Sequence, residues 1–155
     1  MDTLIILAAK YLYLLVILIA LGWVYFKAKD KTVNIAKLIV VSFPLAYISA
    51  KTAGHFYYNA RPFVVENIKP LISHAANNGF PSDHTLLSMT IASVIFVYHR
   101  KLGIFLAILS LATGYARIAA KIHHQIDVLA AAVIAIAAVY ISVVFLKKLG
   151  VKIGR

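Results

Sequence analysis

The stretch 3–26, TLIILAAKYLYLLVILIALGWVYF, carries one charged residue, Lys10. An apolar run of that length suits a helix crossing the bilayer core, which takes ~20 residues. Four more apolar runs follow, at 32–50, 81–98, 102–116 and 128–146. Several are short for a full crossing; flanking polar groups that snorkel, or local thinning of the bilayer, make up the difference. The runs lack the strict alternation of barrel strands, so helices are expected. Pro44, inside the second run, is expected to kink it. The hydrophobic share of 63% exceeds the roughly 45–50% of a soluble domain. The reading is an all-α integral membrane protein, with one membrane domain over residues 1–155. It is a bundle of about five transmembrane helices plus a long outer loop with a short helix.

The net charge is +11, and the cations gather in short junctions between apolar runs. That pattern speaks for orientation in a membrane and contact with anionic headgroups, not for nucleic acid as a partner. The junction KAKDK supplies Lys27, Lys29 and Lys31, and HRK supplies Arg100 and Lys101. The C-terminal tail adds Lys147, Lys148, Lys152 and Arg155. Five successive crossings put all three groups on one side, which the positive-inside rule makes cytoplasmic. The N-terminus, the segment 51–80 and the turn YARIAAKIHHQID then face outward. The first run reads as a retained helix and not as a signal peptide, because Asp2 precedes it and Lys10 interrupts it. There is no cysteine, which excludes disulfides and thiolate metal sites. The segment 51–80 is the one long connection, with VVENIKPLISHA as its expected short helix. An excursion of that length in so small a protein points to function or a lid.

Three polar clusters share the outer face. KTAGHFYYNARPF holds Lys51, His55, Arg61 and Pro62; GFPSDHT holds Ser82, Asp83 and His84; the turn holds Arg117, Lys121, His123, His124 and Asp127. Ionisable groups are costly at membrane depth, ~2.5–3.5 kcal/mol each at the centre. Two guanidiniums from separate helices clamp an oxyanion through paired N–H donors. A helix beginning at PSDH offers the same anion free backbone amides and a positive dipole end. His123 and Asp127 are four apart, so a helix starting near His123 lets them touch. A carboxylate on one imidazole nitrogen fixes the tautomer and leaves the other as a directed nucleophile or base. His84, on another helix, is placed to protonate a leaving oxygen.

Arg117, five residues, His123, three residues and Asp127 resemble the third motif of the type 2 phosphatidic acid phosphatase superfamily. PSDH at 81–84 is similar to its second motif, usually Pro-Ser-Gly-His, and Arg61-Pro62 to the end of its first. The three occur in the family's order over residues 51–127. The resemblance implies a membrane lipid phosphatase that needs neither metal nor cofactor. In it His123 forms a phosphohistidine, Asp127 orients it, and His84 protonates the leaving group and later activates water. Arg61, Arg117 and Ser82 hold the phosphate, with Lys51 and Asp83 at the positions of further phosphate-site residues. Three features depart from the family pattern. Lys51 precedes Arg61 by nine intervening residues instead of six, and Gly54 holds the usual lysine position. Ala116 replaces a serine, and Asp83 replaces a glycine and is expected to point away as an N-cap. The core is usually of six helices, so one early helix is expected to be missing.

FPSDHT and ARPF resemble small bacterial undecaprenyl-diphosphate phosphatases, which implies the bacterial inner membrane and a site on the outer side. Undecaprenyl diphosphate is the expected substrate; lipid A 1-phosphate and phosphatidylglycerophosphate are alternatives. His55, His74 and His124 read as polar residues without a catalytic part, and Lys121 as an interfacial cation. Phe56, Tyr57, Tyr58 and Phe63 read as an interfacial belt. A zinc site from His84, His123, His124 and Asp127 is a competing reading, although adjacent histidines rarely face one ion. A non-enzymatic anion or proton pathway is another. The sequence leaves the oligomeric state open.

Overall fold

The structure, a computed structural model, describes residues 1–154. Arg155 of the basic tail lies outside the described residues. Five long helices and one short one are present: α1 (Asp2–Lys27), α2 (Thr32–Phe56), α3 (Pro62–Val65), α4 (Asp83–Tyr98), α5 (Arg100–Ala119) and α6 (Gln125–Lys148). A 3₁₀ turn, Lys29–Lys31, joins α1 to α2. There is no strand among the described residues; a single bridge pairs Ala60 with Asn78. Helices α1, α2, α5 and α6 are long and apolar enough to cross a membrane, and α4 is a shorter apolar helix.

Helix α4 is the hub. It packs on all four other long helices, while α1 lies along α5 and α2 along α6. Its 16 residues are few for a bilayer crossing. Enclosure by the rest of the bundle removes the need to present a full apolar band to lipid. Its small side chains, Ser88 and Ala92 among them, let neighbouring backbones approach closely. Three of the buried hydroxyls return their protons to helix carbonyls: Thr90 to Leu86 (2.7 Å), Ser88 to His84 (2.8 Å) and Ser142 to Ala138 (2.7 Å). Such bonds remove the penalty of bare polar groups in an apolar interior.

The helix ends differ from the sequence expectation where side chains satisfy terminal backbone groups. Helix α2 runs six residues past the expected end at 50. Asn78 makes this possible, because its Nδ2 donates to Gly54 O (2.8 Å) and Tyr57 O (3.1 Å) at the helix terminus. Helix α5 starts at Arg100 because His99 Nδ1 accepts from Leu102 N (3.1 Å). The expected short helix VVENIKPLISHA does not form as such. The helix sits earlier, at Pro62–Val65, with Pro62 in its first turn. Asn67 then takes a left-handed φ of 51°, and residues 68–76 run without a helix. Pro70, with no N–H to donate, suits that outcome.

The chain alternates direction, so the basic junctions meet at one end. Ala28, Ile35, Tyr98, Leu146 and Ile153 share one buried cluster there, and Trp23 stacks edge-on against His99. The polar clusters around Arg61, Ser82 and His123 gather at the opposite end.

Candidate active site

The chain reverses between α5 and α6 through Lys121, whose φ of 64° is left-handed. The reversed turn binds the outer loop. Lys121 O accepts from Phe63 N (3.2 Å), and its ammonium meets Glu66 Oε2 at 3.1 Å. Lys121 therefore ties the loop to the turn, and this contact brings Arg61 against His123.

Asp127 stands at the centre of the site and is fully buried. Its Oδ2 accepts from the His124 amide (2.8 Å), fixing the start of α6, and lies 3.3 Å from His123 Nδ1. His123 sits just before the helix, two residues ahead of Gln125, so the pair meets through the helix cap and not along a helix face. With Nδ1–H turned to the carboxylate, Nε2 keeps its lone pair and faces Arg61 Nη1 at 3.4 Å. Burial holds the His123 pKa below the ordinary imidazole value. The Asp127 bond opposes that shift, and the charges of Arg117 and Arg61 reinforce it. The imidazole is therefore neutral at neutral pH.

Arg61 is buried, and burial lowers its pKa, countered by Asp127 and Asp83. It stays a cation, since a guanidinium does not deprotonate in a protein. Its Nη1 donates to Ile122 O (2.7 Å), its Nε to Asn77 Oδ1 (3.0 Å) and its Nη2 to Asn78 O (3.4 Å). Arg117 is buried too. It donates from Nη1 to Ala9 O (3.1 Å), while its Nε has no partner. An unpaired buried donor costs about 1–3 kcal/mol, more when charged, and an oxyanion relieves it.

Ser82, not Asp83, is the N-cap of α4, and it is fully buried. Its amide donates to Asp127 O (3.1 Å), which locks the start of α4 to the start of α6. Its hydroxyl accepts from Thr85 Oγ1 (3.2 Å). The first intrahelical bond runs from Leu86 N to Ser82 O, so the amides of 83–85 precede it. His84 packs edge-on against Tyr13, with ring centroids 4.6 Å apart. Ala9 and Tyr13 are four apart on α1, so Arg117 and His84 face one strip of that helix.

Lys51 and Asp83 form an exposed ion pair at 3.6 Å on the rim. With Arg61, Asn77 and Asn78 they line a polar cavity of about 380 Å³. The expectation that Asp83 points away as a cap is corrected: it opens α4 and reaches toward Lys51. The absence of lysine at 54 also has a physical reason. A Cβ there would lie 2.8 Å from Phe80 O, because α2 packs directly on that backbone. His55 lines the same cavity, at its exposed edge. His124 Nε2 lies 3.0 Å from Ala60 O, away from His123. Among the described residues no three His, Asp or Glu side chains gather as metal ligands do. His74 has its pKa lowered by burial and then by the charge of Arg61, so it lies beside the basic cluster.

Three asparagines escape the sequence reading. Asn59 donates to Asp127 Oδ1 (2.7 Å), Asn77 holds Arg61, and Asn78 ties the loop to α2. Gly79 passes between them, where a Cβ would sit 3.1 Å from Asp127 Oδ2 and 3.3 Å from Arg61 Cγ.

Fold and site together define a multi-pass membrane protein with buried arginines and a carboxylate-oriented histidine at one end of the bundle. The chain belongs to the PAP2 superfamily, whose family model matches residues 10–150. It is 36% identical over 121 residues to the bacitracin transport permease protein BcrC of Bacillus licheniformis, covering 76% of this chain and 60% of that protein. It is 42% identical over 80 residues to the undecaprenyl-diphosphatase BcrC of Bacillus subtilis (strain 168), covering 52% and 42% respectively. It is 32% identical over 93 residues to the putative undecaprenyl-diphosphatase YbjG of Escherichia coli (strain K12), covering 59% and 46%. The chain thus spans about half the length of the curated relatives it matches. The crystal structure of Aquifex aeolicus LpxE superposes with a TM-score of 0.72 at 24% identity, over 92% of this chain and 84% of that one. This likeness shows the fold.

Proposed function

We propose that the protein is a lipid phosphatase that removes the terminal phosphate of a lipid diphosphate, undecaprenyl diphosphate first, without a metal. The observation that carries this reading is the line Asn59–Asp127–His123–Arg61, beside an Arg117 whose buried Nε lacks a partner. His123 Nε2 attacks the terminal phosphorus. The N–P bond forms as the bond to the bridging oxygen breaks, and His84, which takes up a proton when the anionic diphosphate binds beside it, gives that proton to the oxygen. Water then attacks the phosphohistidine, passes a proton to His84 and releases inorganic phosphate. Arg61, Arg117, Ser82 and the amides at the start of α4 hold the phosphoryl oxygens, which gain charge in the transition state. Lys51 and Asp83 act at the rim of the phosphate site. Arg61 exchanges Asn77 and Asn78 for phosphate when the substrate enters.

The names of the Bacillus subtilis and Escherichia coli relatives support the diphosphate. Helices α1 and α2 do not pack along one another, which supports lateral entry of the lipid between them. The basic junctions at the other end support a bacterial inner membrane with the site on the outer side. The test is phosphate release from undecaprenyl diphosphate, lipid A, phosphatidylglycerophosphate and phosphatidic acid, with wild type and His123→Ala compared. Release greatest from undecaprenyl diphosphate and lost in His123→Ala supports the reading. Release undiminished in that variant contradicts it.

A further inference from the structure

A second cavity, of about 720 Å³, lies at the basic end of the bundle, away from His123. Helices α5 and α6 both lean on α4 and pack far less on each other. Ala92 and Ser93 of α4 and Ala107 of α5 leave the groove between them deep. Ile104, Ile108 and Tyr140 wall it with exposed apolar surface. At its mouth stand Arg100, the first residue of α5, and Lys147, in the last turn of α6. Among the described residues neither cation has an acidic partner, and no acidic residue lines the groove.

We propose that this groove binds an acyl chain of an anionic phospholipid, with the headgroup phosphate held between Arg100 and Lys147. An apolar cavity in a bilayer-spanning chain is filled by lipid, and its size falls in the range of ~300–1,000 Å³ typical of ligand sites. Basic pockets between helices on the cytoplasmic side select anionic headgroups. The bias of cations to that side explains their presence, not the apolar groove that opens between them. A zwitterionic lipid would bring its own cation against Arg100 and Lys147. A second copy of this chain is a poor occupant, because of its five acidic residues only Asp30 lies at this end.

The test uses the purified full chain and native mass spectrometry, so no turnover is required. Phosphatidylglycerol and phosphatidylcholine of matched chains are offered, with inorganic phosphate as a third arm. Wild type is expected to retain phosphatidylglycerol roughly tenfold better than phosphatidylcholine. The double variant Arg100→Gln/Lys147→Gln loses that preference while still binding lipid, and Ala107→Leu weakens retention of both lipids. Unchanged melting temperatures show that the variants fold. Equal retention of the two lipids by wild type overturns the proposal, as does a preference that survives the double variant. Inorganic phosphate displacing the lipid outright also overturns it, as does a dimer that Ala107→Leu abolishes with lipid retention intact.

Discussion

Asn59 Nδ2 donates to Asp127 Oδ1 at 2.7 Å across 68 positions of sequence, and the other oxygen of that carboxylate faces His123. The loop between α2 and α4 thus helps hold the imidazole in position. Asp127→Asn presents a donor where His123 Nδ1–H needs an acceptor, so kcat is expected to fall by ~10³–10⁴-fold. Asn59→Ala leaves the carboxylate in place but freer to turn. A fall in kcat of about tenfold with KM little changed is expected, the pattern of a positioning residue. Steady-state kinetics on both variants checks this.

The pH profile follows from His123. Burial holds its pKa below 6.5, so the acid limb of kcat/KM has its midpoint below that value. Asp127 stabilises the protonated imidazole, and Arg117 and Arg61 oppose protonation. Asp127→Asn removes the stabilising partner, so the residual activity shows an acid limb displaced to lower pH. A displacement to higher pH contradicts the assignment.

Asp83 pairs with Lys51 at the polar cavity, where the proposed anionic substrate would approach. Asp83→Asn removes the negative charge of the carboxylate, and KM is expected to drop several-fold at low salt, with the gain fading as ionic strength rises. Lys51→Met is expected to cost less than about tenfold in kcat/KM, because the ammonium is exposed. Arg61→Ala and Arg117→Ala should each cost about 10²–10³-fold, as losses of buried oxyanion donors do.

At an ordinary helical position, replacing glycine with alanine stabilises by up to about 1 kcal/mol. At Gly54 the sign reverses, because the new Cβ meets the Phe80 carbonyl at 2.8 Å. Overpacking of this kind costs about 1–3 kcal/mol. Thermal unfolding of Gly54→Ala in detergent should show a lowered Tm, and a raised one contradicts the packing.

The helices and the His123–Asp127 contact were legible because they rest on local pattern. Apolar runs of helical length gave all five long helices, and the short spacing of His123 and Asp127 anticipated their contact. Long-range bonds were not legible. Helix α2 outruns its apolar stretch because Asn78, 24 residues from Gly54, satisfies its last carbonyls. The short helix moved to Pro62 because a proline at its start outweighed the apolar pattern of VVENIKPLISHA. Asn59 and Asn77 carry no spacing signal that marks them as partners of Asp127 and Arg61, and only the folded loop brings them there.

In the proposed reaction His123 carries the phosphoryl group. Peptide mass spectrometry after alkaline quench of His84→Ala turning over undecaprenyl diphosphate tests this most directly. The departing lipid phosphate is a weakly basic leaving group that needs little help from an acid, whereas hydrolysis needs His84 to activate water, so the covalent form accumulates. One acid-labile phosphoryl group is expected on the peptide holding His123, absent from the His84→Ala/His123→Ala double variant. Steady phosphate release with that peptide unmodified, or with the phosphoryl group on another residue, would contradict it.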